Sequence, residues 1–193
     1  MGEYTFALKN MISRTCIRYV ELCFSEEAGV ELQRVELGQV RLRIDEEKTT
    51  VDDVKERFKE IGFEVIEDRD AILTEKVKLA AIELIIYADN KNSLIRNSDY
   101  ISDKVQEPYD KISKVFSKVT GTTLEKFIIL LKIEKAKEMV LRDDLTLSEI
   151  AYQLGYSSVQ YLSRQFKQIT GYTFSEFKAL ESPPLRAMED LIR

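Results

Sequence analysis

The spacing of apolar positions changes character near residue 70. Before it, alternating runs interleave with runs spaced three and four apart; after it, only helical spacing remains. Residues 4–9 put Tyr4, Phe6 and Leu8 on one face, the pattern of a half-buried strand. Residues 16–28 follow as a helix with Ile17, Val20, Cys23 and Phe24 inward. Residues 31–37 and 39–45 are two strands joined around Gly38, with Val40, Leu42 and Ile44 alternating. Val51, Val54, Phe58 and Ile61 predict an amphipathic helix over 51–61, ended by Gly62, and residues 63–67 make a last strand. The order βαββαβ predicts an α+β ferredoxin-like domain, two helices covering one face of a four-stranded antiparallel sheet.

The charged stretch Asp68-Arg69-Asp70 closes that domain. Residues 72–88 read as a long amphipathic helix, whose Leu79, Ile82, Ile85 and Ile86 serve either to pack on the following bundle or to make a dimer face. Asp89 to Ser93 is a polar break. Helices are then expected near 98–105, 108–119 and 123–141, followed by a pair around Gly155. The expected division is 1–70, a linking helix over 71–92, an all-α region over 93–182, and a short amphipathic tail over 183–193.

The stretch Thr146 to Phe177 carries the clearest local pattern. Ile150, Ala151 and Leu154 form one apolar face, and Gly155 stops that helix and permits a sharp turn. A second helix starts near Ser157 with Val159, Leu162, Phe166 and Ile169 inward, and Gly171 ends it. Two short helices around a glycine turn make a helix-turn-helix. Gln160, Arg164 and Lys167 share the opposite stripe. Gln suits adenine, Arg suits guanine and Lys neutralises phosphate, although a polar stripe is also the ordinary solvated face of a helix.

The chain also repeats itself. A shift of 50 lays 112–127 on 162–177 with six identities in sixteen positions, among them Phe116 on Phe166, Thr120 on Thr170, Gly121 on Gly171 and Thr123 on Thr173. A first helix-turn-helix therefore precedes the second. Its turn, Val105-Gln106-Glu107-Pro108, lacks a glycine to match Gly155, and Pro108 suits the first turn of its second helix. Asp110 and Lys114 stand where Gln160 and Arg164 stand in the second module, and Lys111, Lys114 and Lys118 form a basic stripe. This module is expected to grip backbone more than it reads bases. Capping boxes are expected at Thr122/Glu125, Thr146/Glu149 and Thr173/Glu176.

The runs Ile150-Ala151-x-x-Leu154-Gly155-Tyr156, Tyr161 to Lys167 (YLSRQFK) and Thr170-Gly171-x-Thr173-x-x-Glu176-Phe177 resemble the C-terminal signature of AraC-type transcriptional regulators. That resemblance implies an all-α double helix-turn-helix region joined by a long helix, with double-stranded DNA as partner. Gln160 and Arg164 are then the expected base contacts, with Asp110 a candidate for cytosine. Ser158, Ser163, Lys167, Lys111, Lys114 and Lys118 are the expected backbone contacts. Reading helices entering successive major grooves would sit about 34 Å apart, and bending would add indirect readout.

Residues 1–70 resemble the heavy-metal-associated domain, whose loop after the first strand carries Met-x-Cys-x-x-Cys. Here Met11 and Cys16 match, but Ser13 stands at the first cysteine. A hydroxyl is a poor ligand for a soft cation, which leaves Cys16 a weak metal candidate and a regulatory or dimerising role as the expectation. An effector or metal at this domain, and homodimerisation, stay open.

Composition narrows the rest. The chain has no histidine, which removes a Ser-His-Asp triad and His-ligated zinc. No acid, base and nucleophile constellation stands out, so neither an enzyme nor a cofactor is expected. Cys16 and Cys23, seven apart in one predicted helix, are about 10 Å apart along its axis and unsuited to a disulfide. No apolar run spans a bilayer and no signal peptide is visible, so a cytoplasmic protein is expected. The net charge of −5 is unevenly spread: residues 1–90 carry 13 Lys+Arg against 20 Asp+Glu, residues 91–193 carry 16 against 14. A local positive surface suffices for DNA. The rival expectation is a metal-handling or interaction module whose helical half docks a protein.

Overall fold

The computed structural model describes residues 1–87 and 97–186. It contains two compact units, Met1–Leu79 and Ala80–Arg193. The polar break at Asp89 to Ser93 and the end of the tail fall outside the described residues.

The first unit runs β1 (Gly2–Lys9), α1 (Arg14–Phe24), β2 (Val30–Glu36), β3 (Gln39–Ile44), α2 (Val51–Glu60) and β4 (Glu64–Ile66), then most of α3 (Arg69–Ile82). The strands form one sheet in the order β2-β3-β1-β4 with antiparallel neighbours throughout. The period of two sends Phe6 and Leu8 of β1 and Val40, Leu42 and Ile44 of β3 to one face. Val20 and Phe24 of α1 and Val54 and Phe58 of α2 cover them, with the Phe24 and Phe58 rings 4.7 Å apart.

Local chemistry sets the boundaries. The first helix spans Arg14–Phe24 rather than 16–28, because the Ser13 side chain caps it by accepting from the Cys16 N–H. Thr50 and Asp53 make a reciprocal capping box at α2. The β2–β3 hairpin turns through Leu37 and Gly38. Gly38 has φ +72°, and a Cβ there would come within 2.7 Å of Leu79 Cδ1. Leu79 thus packs on this hairpin. Asp68 accepts from the Ala71 N–H at the start of α3, so the charged stretch is a helix start. Buried Glu75 pairs with Lys78 at 2.7 Å and accepts from the Asn10 N–H, tying α3 to the loop after β1.

In the second unit, the long helix expected to 88 gives way to a π-helical turn at Glu83–Tyr87, which packs on α6. The helices are α4 (Asn97–Val105), α5 (Tyr109–Thr120), α6 (Leu124–Arg142), α7 (Leu147–Gln153), α8 (Val159–Thr170) and α9 (Phe174–Lys178). Side chains are buried around most of the circumference of α6, which packs against α5, α7, α8 and α9. Even Glu134 and Lys137 are buried there. They pair at 2.7 Å, Lys137 Nζ also donates to the Pro184 carbonyl, and Glu134 accepts from the Arg186 N–H.

Candidate nucleic-acid interface

The second module is built as its spacing predicts. Ile150, Ala151 and Leu154 are buried with Leu162 and Phe166. Phe166 stacks on Phe174 at 3.9 Å and meets Phe177 edge-on at 5.4 Å. With Leu162 and Phe166 held inward, the opposite stripe of α8 has only one direction left. Gln160, Arg164 and Lys167 are exposed and Ser163 is half-buried beside them. Thr146/Glu149 forms the expected capping box, and Gly155 turns the chain at φ +67°. Ser158, not Ser157, is the residue before the helix. Its hydroxyl accepts from the Tyr161 N–H at 3.2 Å, which leaves its proton free to donate outward.

The first module has the same frame with different joinery. Ile112 and Phe116 are buried, while Asp110, Lys111, Lys114 and Lys118 are exposed along α5. Lys111 pairs with Glu107 at 2.6 Å, an exposed bridge of little energetic weight. Pro108 sits one position before the helix, with no side-chain cap to offer. The turn is made by Gln106 at φ +60°, a left-handed conformation held by a non-glycine residue.

The expected Thr122/Glu125 box is not formed. Thr123 is the cap of α6, accepting from the Lys126 N–H at 3.2 Å. Glu125 is engaged elsewhere: it accepts the Tyr109 hydroxyl at 2.6 Å, and this bond holds its carboxyl below the usual glutamate range. Thr173/Glu176 does form its box.

Sequence reasoning did not single out a chain of polar contacts beside α8. The Tyr156 hydroxyl donates to Gln165 Oε1 at 2.8 Å, and Gln165 Nε2 donates to the Tyr161 hydroxyl at 3.1 Å. Burial raises Tyr156 to about 12, so it remains a donor. Tyr161 itself is 45% exposed. The only signal in the sequence was the Tyr156 position of the glycine turn.

Cys16 and Cys23 are free thiols on α1. Cys16 Sγ lies 3.3 Å from the Ser13 hydroxyl, and Met11 is buried in the core of the first unit. Among the described residues, no group of three or more His, Cys, Asp or Glu is placed to hold a metal ion. No described helix is long and apolar enough to cross a membrane.

Residues 102–179 match the family model for a helix-turn-helix domain. The chain is 30% identical over 115 residues to the uncharacterized transcriptional regulatory protein YesN of Bacillus subtilis, covering 56% of this chain and 28% of that protein. It is 31% identical over 94 residues to an uncharacterized HTH-type transcriptional regulator in the cgkA 5' region of Pseudoalteromonas carrageenovora, covering 49% and 55%. It is 28% identical over 118 residues to the xylose operon regulatory protein of Escherichia coli K12, covering 61% and 30%. The chain thus spans about half or less of the length of these relatives. A solved structure, the DNA-binding domain of AdpA, the global transcriptional factor, in complex with a target DNA, aligns with a TM-score of 0.42 and 16% identity over 52% of this chain and 90% of that one.

Proposed function

We propose that this chain is a sequence-specific DNA-binding transcription regulator of the AraC type, whose helices α5 and α8 enter adjacent major grooves of one duplex. The observation that carries this reading is the outward stripe Gln160, Arg164 and Lys167 on α8, fixed by the burial of Leu162 and Phe166, with α5 repeating the frame fifty residues earlier. The family match over 102–179 and the relatives that are transcriptional regulators support it. In this reading Arg164 and Gln160 touch base edges. Asp110 accepts from a cytosine amino group. Ser158, Ser163, Lys167, Lys111, Lys114 and Lys118 hold phosphates.

Residues 1–70, within the first unit, serve in this proposal as a ferredoxin-like regulatory or dimerising domain of a cytoplasmic protein. Its residues do not fit a two-thiolate metal site. The Ser13 hydroxyl is committed to capping α1, and Cys16 is the one thiol beside it. No metal step is assigned.

Selection of bound sequences from random duplex DNA, followed by anisotropy titration, tests the proposal. Recovery of a motif with two half-sites about one helical turn apart supports it. Absence of any complex at low ionic strength overturns it.

A further inference from the structure

A cleft of about 320 Å³ lies between the two helix-turn-helix modules. Tyr109 of α5 and Glu125 of α6 line it on one side, and Tyr156, Tyr161 and Gln165 of the second module on the other. Lys132 of α6 projects into it above an apolar floor that includes Ile128 and Ile129. The two charged groups are in different states. Glu125 already accepts the Tyr109 hydroxyl at 2.6 Å. Lys132 is half-buried, with its Nζ 5.3 Å from the centroid of the Tyr156 ring. Among the described residues no carboxylate lies within ion-pair distance of it. Burial holds its ammonium below the usual lysine range. A partly desolvated cation facing an aromatic-walled cleft is complemented by an oxyanion attached to an apolar body.

We propose that this cleft binds a small organic carboxylate, its oxyanion paired with Lys132 and its apolar part lying on Ile128, Ile129 and the tyrosine rings. Bound there, it touches both modules at once. The ring beneath Lys132 belongs to Tyr156, which is linked through Gln165 to Tyr161, and these last two are the chain neighbours of Arg164 and Gln160 on α8. Occupancy is thereby coupled to the reading helix. That consequence rests on the DNA-binding proposal; binding of the carboxylate does not. The oxyanion has a second source, the phosphodiester backbone of DNA. The free carboxylate is favoured because the cleft is partly apolar, with Ile128, Ile129 and tyrosine rings in its lining, and because its volume suits a molecule of about ten heavy atoms near the small end of ligand pockets.

The test is calorimetric titration of the full chain with 3-phenylpropionate, its neutral analogue 3-phenylpropan-1-ol, and inorganic phosphate. Saturable one-to-one binding of the carboxylate is expected, with the alcohol at least tenfold weaker. Lys132→Gln should weaken the carboxylate at least tenfold. Lys132→Arg, which keeps the charge, should stay within a few fold, and Lys126→Gln, on the exposed side of α6, should bind as the parent does. If Lys132→Gln fails to fold, the comparison of carboxylate with alcohol decides alone. Phosphate binding as well as the carboxylate overturns the apolar half of the assignment. No small-anion binding, with a duplex salt slope reduced by about one in Lys132→Gln, assigns the oxyanion to the DNA backbone and overturns the proposal. No binding and no change in slope overturns it outright. A protein that binds the carboxylate but no duplex keeps this site and loses the DNA reading.

Discussion

Thr120 and Thr170 stand fifty positions apart and make the same pair of contacts. Each hydroxyl lies against the carbonyl four residues back, Phe116 at 2.8 Å and Phe166 at 2.7 Å. Each also meets the carbonyl two residues on, Thr122 at 3.1 Å and Tyr172 at 3.2 Å. Gly121 and Gly171 then cap α5 and α8 in left-handed conformations, at φ +70° and +83°. The repeat is therefore one of hydrogen-bonded joints as well as letters.

Both glycines face open space, with nothing within 4 Å of an added Cβ. The cost of an alanine there is conformational alone. Gly121→Ala and Gly171→Ala should each destabilise the protein by about 1–2 kcal/mol. Urea denaturation checks this, and a difference of several kcal/mol between the two would show that the joints are not equivalent.

Arginine and lysine should report differently on DNA. Arg164→Ala should cost about 1–3 kcal/mol of specific binding and relax preference at one base pair. Lys114→Ala should weaken all sequences alike and lower the salt slope by about one. Equal effects on cognate and random duplexes for Arg164→Ala would remove its assignment as a base contact.

The Glu134–Lys137 pair is buried on both sides, with side chains 8% and 6% exposed. Lys137→Met leaves a carboxylate in the core with only the Arg186 N–H to satisfy it, and should cost about 3 kcal/mol or more. The double replacement Glu134→Leu/Lys137→Met should recover much of that loss. A thermodynamic cycle in urea measures the coupling, and near-additive losses would argue against it.

Acid should act first at helix starts. Asp53, Glu149 and Glu176 each accept from their cap threonine, and these bonds hold their carboxyls below the usual range. A lowered folded value contributes stability that is full above the unfolded value of about 4 and fades as pH falls through the folded one. The Glu149→Gln/Glu176→Gln variant should therefore show a flatter dependence of unfolding free energy on pH below about 5. A slope identical to the parent's would place the acid sensitivity elsewhere.

Much of the second module was legible, because its signals are local: apolar spacing, a glycine stop, and a threonine three residues before a glutamate. The capping register of α6 was legible in the repeat, where Thr123 falls on the capping Thr173, but the spacing rule put the box one residue earlier. What the spacing could not show is that Glu125 is taken by Tyr109, a residue on another helix. Gln106 in a left-handed turn also left no mark, since glycine is the usual sign of one. Glu134 and Lys137 have the spacing of a solvated surface pair, and only packing around the whole of α6 reveals them as interior. Lys132 and its cleft arise where four helices meet, α4, α5, α6 and α8, a coincidence that no single stretch encodes.

Because α6 lends its flanks to α5 on one side and to α7, α8 and α9 on the other, the two modules have a party wall rather than a hinge. Neither can be excised cleanly. A fragment ending within α6 would carry an oily strip into water, and proteases or self-association would claim it. Damage to one module should thus be felt as turnover of both.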